Sequence, residues 1–340
     1  MTIENIRKEM EKEIVLLSFA LPTYNGEKYL REALDSILVQ LPDVNEKIEI
    51  TISDNASTDN TSLIINEYQK HYPQIIRYYK NEKNLGPDKN YDLAVRKSKG
   101  RFVWLFSDDD CLLNGSIKKV LEIIHSHPTI VAIFINFESS TIPSSNKECL
   151  CNDGNNYFTN VFSSNTFCPS NIIRKDIWEI VKTEKYYNTN WIHIGVLIES
   201  LLHNSSIIIY KYLLKPLGTR SDPAQARWGD NGTFFNASIR ISMMIYKMKD
   251  YGYDYNTSVK MLLHLRKHML TDIPFAKFCG LKLTKPLIKD FIFIYGRFPL
   301  SWFSIIPLLF VPTFCYKIIY KIVRWIKFYC FSSSKAFRIE

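Results

Sequence analysis

The sequence has 340 residues, of which 46% are hydrophobic and 14% aromatic, a composition that can bury a substantial core and excludes disordered and fibrous proteins. Residues 274–340 hold 11 basic residues against two acidic ones, which accounts for the whole net charge of +9. This segment is also rich in Phe, Ile, Trp and Tyr, which favours an anionic membrane surface over nucleic acid as its partner. The 7 cysteines are scattered and predict no disulfide framework, and the N-terminus lacks a signal-peptide pattern, so we expect the globular part in the cytoplasm.

Residues 14–136 alternate between short apolar runs and amphipathic stretches, the pattern of strands followed by helices. The predicted strands are Ile14–Leu21, which stops at Pro22, then Ile48–Ser53, Ile75–Tyr79, Phe102–Phe106 and Ile130–Ile135. The first predicted helix is capped by Asn25, and the second is capped by Ser57 or Thr58 and ends near Tyr72. The third runs from Pro87 to Lys99 and stops at Gly100 in a left-handed conformation. The fourth contains Ile117, Val120, Leu121 and Ile124 on one face. We therefore predict an α/β fold with an open, mostly parallel sheet flanked by helices.

Beyond Asn136 the pattern is weaker. Residues 138–165 are rich in Ser, Asn and Cys and predict a loop. A helix over Trp191–Leu202, a strand over Ile207–Tyr212 and helical structure over 234–270 are predicted next. The predicted organisation is a domain over 1–235, with a nucleotide-binding half (14–135) and an acceptor half (136–235), then a helical extension over 236–300 and a membrane-associating tail over 301–340.

The tail combines an apolar segment with a basic one. Trp302–Tyr316 is strongly apolar, but it contains two prolines and is shorter than the roughly 20 residues that span a bilayer, so we expect no full span. Residues 317–327 mix Lys and Arg with Ile and Val, which predicts a basic amphipathic helix in the headgroup region. A core helix with a solvated face is the alternative.

Polar clusters follow three predicted strands at their carboxyl ends, where open parallel sheets bind ligands. They are Pro22–Asn25, Asp54–Asp59 and Asp108–Asp110. The three consecutive carboxylates of the last cluster repel one another, and Mg²⁺ or Mn²⁺ bound with substrate phosphates would offset this repulsion; a solvated loop or helix start is the alternative. Asp54 could accept a hydrogen bond from a base and the Pro22–Asn25 turn could bind the same nucleoside, although both also suit ordinary turn chemistry.

These clusters, together with Asn84-Leu85-Gly86-Pro87-Asp88, resemble the motifs of the family 2 nucleotide-diphospho-sugar glycosyltransferases over about residues 14–135. They look most like the abequosyltransferase branch, which adds a dideoxyhexose during bacterial O-antigen assembly. The resemblance implies a GT-A fold and a Mn²⁺ or Mg²⁺ cofactor. The resemblance implies that Pro22, Thr23 and Tyr24 line the nucleoside pocket and that Asp54 contacts the base. It places Asp88 beside the ribose and diphosphate. It implies that Asp110 binds the metal and that Asp109 contacts the ribose or a metal-bound water. Asp108 is an additional acid without an assigned role.

Inverting members of this family need a general base, normally an Asp in a Glu-Asp pair early in a helix of the second half. The corresponding stretch, Asn190–Gly195, has no such pair. His193 is the candidate there because its ordinary pKa near 6.5 suits proton transfer, and a hydrogen-bonded core histidine is the alternative. The other possible bases are Glu199, Asp222 and Asp230.

A polar loop in the second half carries further candidates. Arg220 and Arg227 flank this loop, and either could neutralise the leaving diphosphate or fold over the bound donor. Trp228 and Gly229 in the same loop could form a sugar platform, although a buried aromatic is the commoner role of Trp.

The sequence has neither a Gly-x-Gly-x-x-Gly after the first strand nor a Gly-x-x-x-x-Gly-Lys-Ser/Thr, which excludes a Rossmann dehydrogenase and a phosphate-loop enzyme. The resemblance implies a hexosyltransferase that moves a sugar from a nucleoside diphosphate sugar, CDP-abequose or a similar deoxyhexose donor, to a lipid-linked oligosaccharide. Its expected location is the cytoplasmic face of the inner membrane, as a peripheral or monotopic protein without a nucleic-acid partner. A nucleotidyltransferase and a non-catalytic, membrane-bound sugar-nucleotide-binding protein are the alternatives, and intact Asp109 and Asp110 disfavour the second.

Overall fold

The structure is a computed structural model that describes residues 15–44, 47–217, 233–316 and 318. The chain divides into two compact units. Within the described residues, the first unit comprises 15–44, 47–217 and 248–261, and the second comprises 233–247, 262–316 and 318. Residues 248–261 belong to the first unit, and the predicted domain boundaries at 235 and 300 stay predictions.

In the described part of the chain, the first unit is built from nine strands and the helices between them. The strands are β1 (Val15–Thr23), β2 (Lys47–Asp54), β3 (Ile76–Lys80), β4 (Phe102–Leu105), β5 (Asp110–Leu112), β6 (Ala132–Phe137), β7 (Glu148–Cys151), β8 (Asn171–Arg174) and β9 (Ser206–Pro216). The helices are α1 (Leu30–Leu38), α2 (Thr61–His71), α3 (Pro87–Lys97), α4 (Ser116–Ser126), α5 (Gly154–Asn165), α6 (Lys175–Ile180) and α7 (Ile192–Leu201).

All nine strands form one sheet in the order β3-β2-β1-β4-β8-β6-β9-β5, with β7 also paired to β9. The pairings among β1, β2, β3 and β4 are parallel, as is that of β6 with β9. β8 is antiparallel to both β4 and β6, and β5 and β7 are antiparallel to β9. The predicted α/β fold is confirmed, with its parallel part in the nucleotide-binding half and a mixed sheet beyond β4.

The core lies on both faces of the central strands. Phe19 of β1 stacks on Trp104 of β4 with ring centroids 5.2 Å apart, and Phe106 meets both rings edge-on. These three side chains are fully buried, as expected for strands covered by helices on two faces. The Trp104 indole N–H donates to the Pro169 carbonyl oxygen at 2.8 Å, so its polar atom is also satisfied.

The end of β1 and the start of α1 differ from the prediction. β1 does not stop at Pro22 but continues to Thr23, because Pro22 and Thr23 stay in register with Ser53 and Asp54 of β2. Asn25 does not cap α1, since this helix begins at Leu30 and Asn25 has a left-handed φ of 52°.

Two further predicted helix boundaries are wrong. Neither Ser57 nor Thr58 caps α2, which begins at Thr61, and the Asp59 carboxylate accepts the Thr61 N–H at 3.0 Å instead. α3 ends at Lys97, and Gly100 is not among the residues with positive φ. Gly100 is required for close approach, because a Cβ there would lie 2.5 Å from Ser18 Oγ.

The predicted loop over 138–165 is also wrong, since it contains β7 and α5. Asp153 caps α5 by accepting the Asn156 N–H at 2.8 Å. Below this cap, Tyr157, Phe158 and Val161 are fully buried at helical spacing. The many Ser and Asn residues of the segment masked this apolar period in the sequence.

The second unit is helical. Its elements are α8 (Thr233–Tyr246), the part of α9 (Tyr255–Phe278) that begins at Leu262, α10 (Lys285–Tyr295) and α11 (Ile306–Phe310). Phe235 of α8 stacks on Phe291 of α10 at 5.9 Å between centroids, and the Ser242 and Tyr295 hydroxyls are 2.8 Å apart. Helical structure over 234–270 is thereby confirmed. Among the described residues no helix is long and apolar enough to cross a bilayer. The predicted basic helix over 317–327 lies outside them except for Ile318.

Candidate active site

The loops that follow β1 and β2 are held together by hydrogen bonds. The Asn55 N–H donates to the Thr23 carbonyl oxygen at 2.8 Å. In the other direction, the Asn25 N–H donates to Ser57 Oγ and the Asn25 side-chain oxygen accepts the Thr58 N–H, both at 2.9 Å. Two non-glycine residues with positive φ, Asn25 and Ala56, lie within these loops. Positive φ disfavours Ala far more than Asn, so Ala56 holds a strained turn at this strand end.

Asp54 at the end of β2 is fully buried and strongly hydrogen bonded. Its Oδ1 accepts the Ser57 N–H at 2.8 Å, and its Oδ2 accepts the Tyr78 hydroxyl at 2.9 Å and the Ser62 hydroxyl at 3.1 Å. Lys80 Nζ lies 3.9 Å from the same oxygen. Burial first, and then the hydrogen bond to Asp54, raise the pKa of Tyr78 to about 12. Asp54 thus fixes the turn that follows β2, and its predicted contact with a base remains a prediction.

A network of asparagines joins the ends of β2 and β3 to the start of α3. The Asn55 side-chain oxygen accepts the Leu85 N–H at 2.8 Å, and its amide donates to Asn84 Oδ1 at 2.8 Å. Asn90 of α3 donates to the Ser53 carbonyl oxygen at 2.9 Å and accepts the Ser53 hydroxyl at 2.8 Å. Asn81 donates to the same Asn90 oxygen at 3.0 Å. These bonds fix the loop that precedes Asp88.

Thr23, Gly26 and Asp108 form the contact between the β1 loop and the acidic cluster. The buried Thr23 hydroxyl donates to Oδ2 of the buried Asp108. A Cβ at residue 26 would overlap this carboxylate and lie 2.5 Å from Thr23 Oγ1, so only glycine fits there. Pro22 is buried beside Thr23, whereas Tyr24 is exposed. Thr23 therefore positions Asp108, the acid to which the sequence assigned no role.

Asp109 and Asp110 lie at the start of β5. The Ser107 hydroxyl donates to Asp109 Oδ1 at 2.5 Å, and the Asp109 carbonyl oxygen accepts the Leu217 N–H at 3.0 Å. Asp110 is buried and is paired with Pro216 of β9. The short β5–β9 pairing therefore holds the acidic cluster against the acceptor half.

The electrostatics of Tyr91 and Cys168 show that four acids share one neighbourhood. Burial first, then the negative charges of Asp110 and Asp88, raise the pKa of the Cys168 thiol to about 12. Burial, Cys168 and the charges of Asp109 and Asp108 likewise raise the pKa of Tyr91 well above its usual range. Asp88 and Asp110 thus both act on the Cys168 thiol, and the place beside the ribose and diphosphate that the resemblance implies for Asp88 stays a prediction.

Asp88 also links the two halves of the first unit. Its Oδ2 accepts the Asn190 N–H at 2.8 Å, and its Oδ1 accepts the Ile192 N–H at 3.2 Å, at the beginning of α7. A carboxylate is favourable at a helix N-terminus, where backbone N–H groups are unpaired. The helix that carries His193 is therefore anchored on an acid of the nucleotide-binding half.

Comparison with known proteins identifies this arrangement. The model of the family "Glycosyl transferase family 2" matches residues 18–178, which include β1 from Ser18 onward, β2 to β5 and the loops after β1 and β2. Residues 18–178 form a glycosyl transferase family 2 domain. Abequosyltransferase RfbV of Salmonella typhimurium is 29% identical over 293 residues, covering 77% of this chain and 84% of that protein.

Solved structures support the fold of this glycosyltransferase. TarS 1-349 of S. aureus, crystallised in complex with UDP-GlcNAc, superposes with a TM-score of 0.56 at 18% identity, covering 83% of this chain and 80% of that one. The mannosyltransferase PcManGT from Pyrobaculum calidifontis, in complex with GDP-Man and Mn²⁺, gives a TM-score of 0.52 at 13% identity, covering 87% and 85%. The glycosyltransferase therefore has the predicted GT-A architecture.

The donor atoms of the acidic cluster fit a hard divalent cation. Among the described residues no group of three or more acidic, His or Cys side chains could hold a metal by itself. Mg²⁺ is usually held by only one or two carboxylates together with substrate phosphates, so such a group is not required. The side chains of Asp109 and Asp110 offer oxygen atoms alone, which suits Mg²⁺ or Mn²⁺.

His193 of the glycosyltransferase is buried in the acceptor half. Burial lowers its pKa to about 4, against the opposing effect of backbone hydrogen bonds to Thr166 and Asn165. Its Nε2 atom has no hydrogen-bond partner among the described residues. Both features belong to a neutral, buried imidazole.

The remaining candidates fall into two groups. Glu199 accepts hydrogen bonds from the Tyr186 hydroxyl and from Lys185 Nζ, the latter at 2.7 Å, so its carboxylate is already paired. Arg220, Asp222, Arg227, Trp228, Gly229 and Asp230 lie outside the described residues.

The sequence reasoning missed the side chains that support the site. Tyr78 and Ser62 fix Asp54, Asn90 fixes the start of α3, and Tyr91 and Cys168 lie beside the acids. Asn90 and Tyr91 follow Asp88 by two and three residues on the same predicted helix. Their position on the side of this helix that faces the sheet was the sequence signal that could have placed them near Asp88. No local pattern points to Cys168, because its place depends on the antiparallel return of β8 beside β4.

Proposed function

We propose that this glycosyltransferase moves a sugar from a nucleoside diphosphate sugar to a lipid-linked oligosaccharide in the synthesis of O-antigen or another surface polysaccharide. The reaction would take place at the cytoplasmic face of the inner membrane, with the anionic membrane surface as a partner. The observation that carries the proposal is the acidic cluster Asp108–Asp110 that follows β4, joined to the β1 loop by the Thr23–Asp108 hydrogen bond, within the residues that match the family 2 model. The name of the relative RfbV, an abequosyltransferase, supports CDP-abequose or a similar deoxyhexose donor.

The donor's nucleoside would bind between the first two strand-end loops. Exposed Tyr24 offers a ring face, and buried Pro22 and Thr23 form the floor beside it. Asp54 would accept a hydrogen bond from the base, using lone pairs that remain after its bonds to Ser57, Ser62 and Tyr78. The reciprocal bonds between these loops hold the pocket in place before the donor arrives. We assign Arg220 to the leaving diphosphate because of its charge alone.

Asp110 and Asp109 would hold the divalent metal together with the two phosphates of the donor. When bound, the metal would neutralise negative charge on the departing nucleoside diphosphate. Thr23, through its bond to Asp108, and Ser107, through its bond to Asp109, hold two of the neighbouring carboxylates in fixed orientations. Asp88 would lie beside the ribose and diphosphate while keeping the N-terminus of α7 in place.

His193 would accept the proton of the attacking hydroxyl at Nε2. Its lowered pKa of about 4 resembles the ordinary value of about 3.9 of aspartate, the residue type that serves as base in this family. The unpaired Nε2 lone pair supports this role, because a buried polar atom without a partner costs about 1–3 kcal/mol, which a hydroxyl from the acceptor would recover.

The direct test is the release of nucleoside diphosphate from candidate sugar donors, measured with Mn²⁺ in the presence and absence of membranes that carry the lipid-linked acceptor. We expect release that requires donor, metal and acceptor together. A protein that binds nucleotide with metal but releases no nucleoside diphosphate from any donor would be the non-catalytic binding protein instead. Attachment of the nucleotide to a sugar phosphate would indicate a nucleotidyltransferase.

A further inference from the structure

The second unit presents apolar side chains outward along one stretch of chain. The residues concerned, which we call the apolar face, are Leu300, Trp302, Phe303, Phe310, Phe314 and Ile318. Phe303 is 87% exposed and Leu300 is 70% exposed, values at which soluble proteins normally carry polar side chains. Scattered single residues of this kind need no explanation, but six within 19 positions do.

The opposite side of the same stretch is already buried. Ser301, Ile305, Ile306 and Leu309 are almost completely inaccessible to solvent. The chain therefore satisfies its own packing with one side and leaves a second apolar side exposed. A helix in an aqueous environment needs only one apolar stripe, so the apolar face has no role in the packing of this unit.

Polar anchors hold the stretch in a fixed position. Arg266 of α9 donates to the hydroxyl oxygens of Ser301 at 2.8 Å and Ser304 at 2.9 Å, on either side of Trp302 and Phe303. Further along, Lys277 Nζ donates to the Val311 carbonyl oxygen at 2.9 Å, and burial lowers the pKa of this lysine. The exposed side chains are thus presented on an ordered platform, which reduces the entropy lost on binding.

The chain segment that carries the apolar face is also basic. Residues 281–316 carry four basic side chains, Lys282, Lys285, Lys289 and Arg297, against Asp290 alone. All four are exposed, and the Arg297 guanidinium lies over the rings of Tyr246 and Phe293 at 4.4 and 4.6 Å from their centroids. Exposed aromatic residues beside Lys and Arg match the boundary between lipid headgroups and acyl chains, where aromatic side chains collect and anionic lipids attract basic ones.

We propose that the apolar face docks the glycosyltransferase on an anionic lipid bilayer, with Leu300, Trp302 and Phe303 entering the headgroup region. The inference rests on the proposed function in one respect, that a lipid-linked acceptor brings the enzyme to a membrane. The positive charge indicates which partner covers the apolar face. Residues 319–340 are themselves basic, with five Lys or Arg against Glu340, and a second copy of this face is equally basic, so both would be repelled. An anionic bilayer would attract both the apolar face and residues 319–340.

The test is co-sedimentation of the full chain with vesicles of phosphatidylcholine, alone or mixed with phosphatidylglycerol. We expect binding to the mixed vesicles and a loss of roughly tenfold or more in the double variant Leu300→Ser/Phe303→Ser, because binding strength follows the apolar area inserted. Leu63→Ser/Ile180→Ser is the matched control, since these residues are 68% and 76% exposed on the first unit, and it should bind like the wild type. Lys285→Glu/Lys289→Glu should weaken binding to the mixed vesicles in a salt-dependent way.

Three outcomes would overturn the docking proposal. The first is unchanged vesicle binding by Leu300→Ser/Phe303→Ser, and the second is an equal loss of binding in the control variant. The third is a wild-type protein that binds no vesicles but is a dimer by light scattering, with the dimer dissociating in the double variant. Nucleotide binding by each variant separates this proposal from the proposed function. A protein that binds vesicles through this face but binds no nucleotide would retain the docking role and lose the glycosyltransfer role.

Discussion

The two halves of the first unit contain buried polar side chains that differ in how they are satisfied. At the strand ends of the nucleotide-binding half, Asp54 accepts three hydrogen bonds and Asn90 also takes part in several. In the acceptor half, buried Asn165 has no partner for either side-chain polar atom, and His193 has none for Nε2, among the described residues. The strand-end loops of the first half are therefore organised in the free protein, whereas His193 Nε2 and the Asn165 amide lie buried without partners among the described residues.

The largest expected effect is on the acidic cluster. Asp110→Asn should reduce turnover by roughly a hundredfold to a thousandfold, because it removes a negative charge that would hold the metal on the donor phosphates. The fold should survive, since the amide keeps the shape of the carboxylate. Turnover is measured beside Asp43→Asn, an exposed acid far along the chain from the cluster. Equal rates in the two variants would remove Asp110 from the metal site.

His193 should make stability depend on pH. Its pKa falls from 6.5 in the unfolded chain to about 4 in the folded protein, so the unfolded state binds the extra proton between these values. Stability should therefore fall as pH drops from about 6.5 toward 4, by up to about 3 kcal/mol. Urea unfolding across this range measures the effect, and His193→Gln should flatten it while His203→Gln, at an exposed position, should not. A pH dependence that persists in His193→Gln would assign it to other groups.

The loops after β1 and β2 should respond in opposite directions to two small changes. Gly26→Ala places a methyl group against Asp108 and Thr23 and should destabilise the protein by about 1–3 kcal/mol. Ala56→Gly relieves a φ of 62° and should be neutral or stabilising by up to about 1 kcal/mol. Thermal unfolding of both variants measures these changes in stability. Melting temperatures that shift in the same direction would contradict either the close contact at residue 26 or the backbone strain at residue 56.

Two buried asparagines of residues 136–235 should differ in how much they contribute to stability. Asn171 donates to the carbonyl oxygens of Asn165, Phe167 and Cys168 at 3.0–3.1 Å, so Asn171→Leu should cost at least about 2 kcal/mol. Asn165→Leu removes an amide without partners and should change the free energy of unfolding by less than about 1 kcal/mol. Chemical denaturation measures both. A large loss in Asn165→Leu would mean that this amide is paired in the free protein.

The sequence predicts the nucleotide-binding half well because its signals are local. Continuous apolar runs mark β1 and β4, and helical periods mark α1 and α4, so their order and the acids at their ends follow directly. Helix starts are less predictable. Asn25, Ser57 and Thr58 are good capping residues by type, but tertiary bonds between the two loops use them instead.

The acceptor half is less predictable because its elements depend on distant partners. α5 lies in a Ser- and Asn-rich segment and becomes visible only through the burial of Tyr157 and Phe158. β8 is four residues long and owes its place to pairing with β4 and β6. His193 shows the same limit, because its ordinary pKa suggests a base near neutrality whereas burial moves it to about 4.

Calorimetric binding of CDP, UDP, dTDP and GDP, each with and without Mn²⁺, tests the central claim most directly, using wild type, Asp110→Asn and the control Asp43→Asn. A metal-dependent donor site at the acidic cluster predicts tight binding of one nucleotide that requires Mn²⁺, survives in Asp43→Asn and is lost in Asp110→Asn. Absence of metal-dependent binding to all four nucleotides, or equal binding by Asp110→Asn, would contradict it and leave the acidic cluster with a structural role.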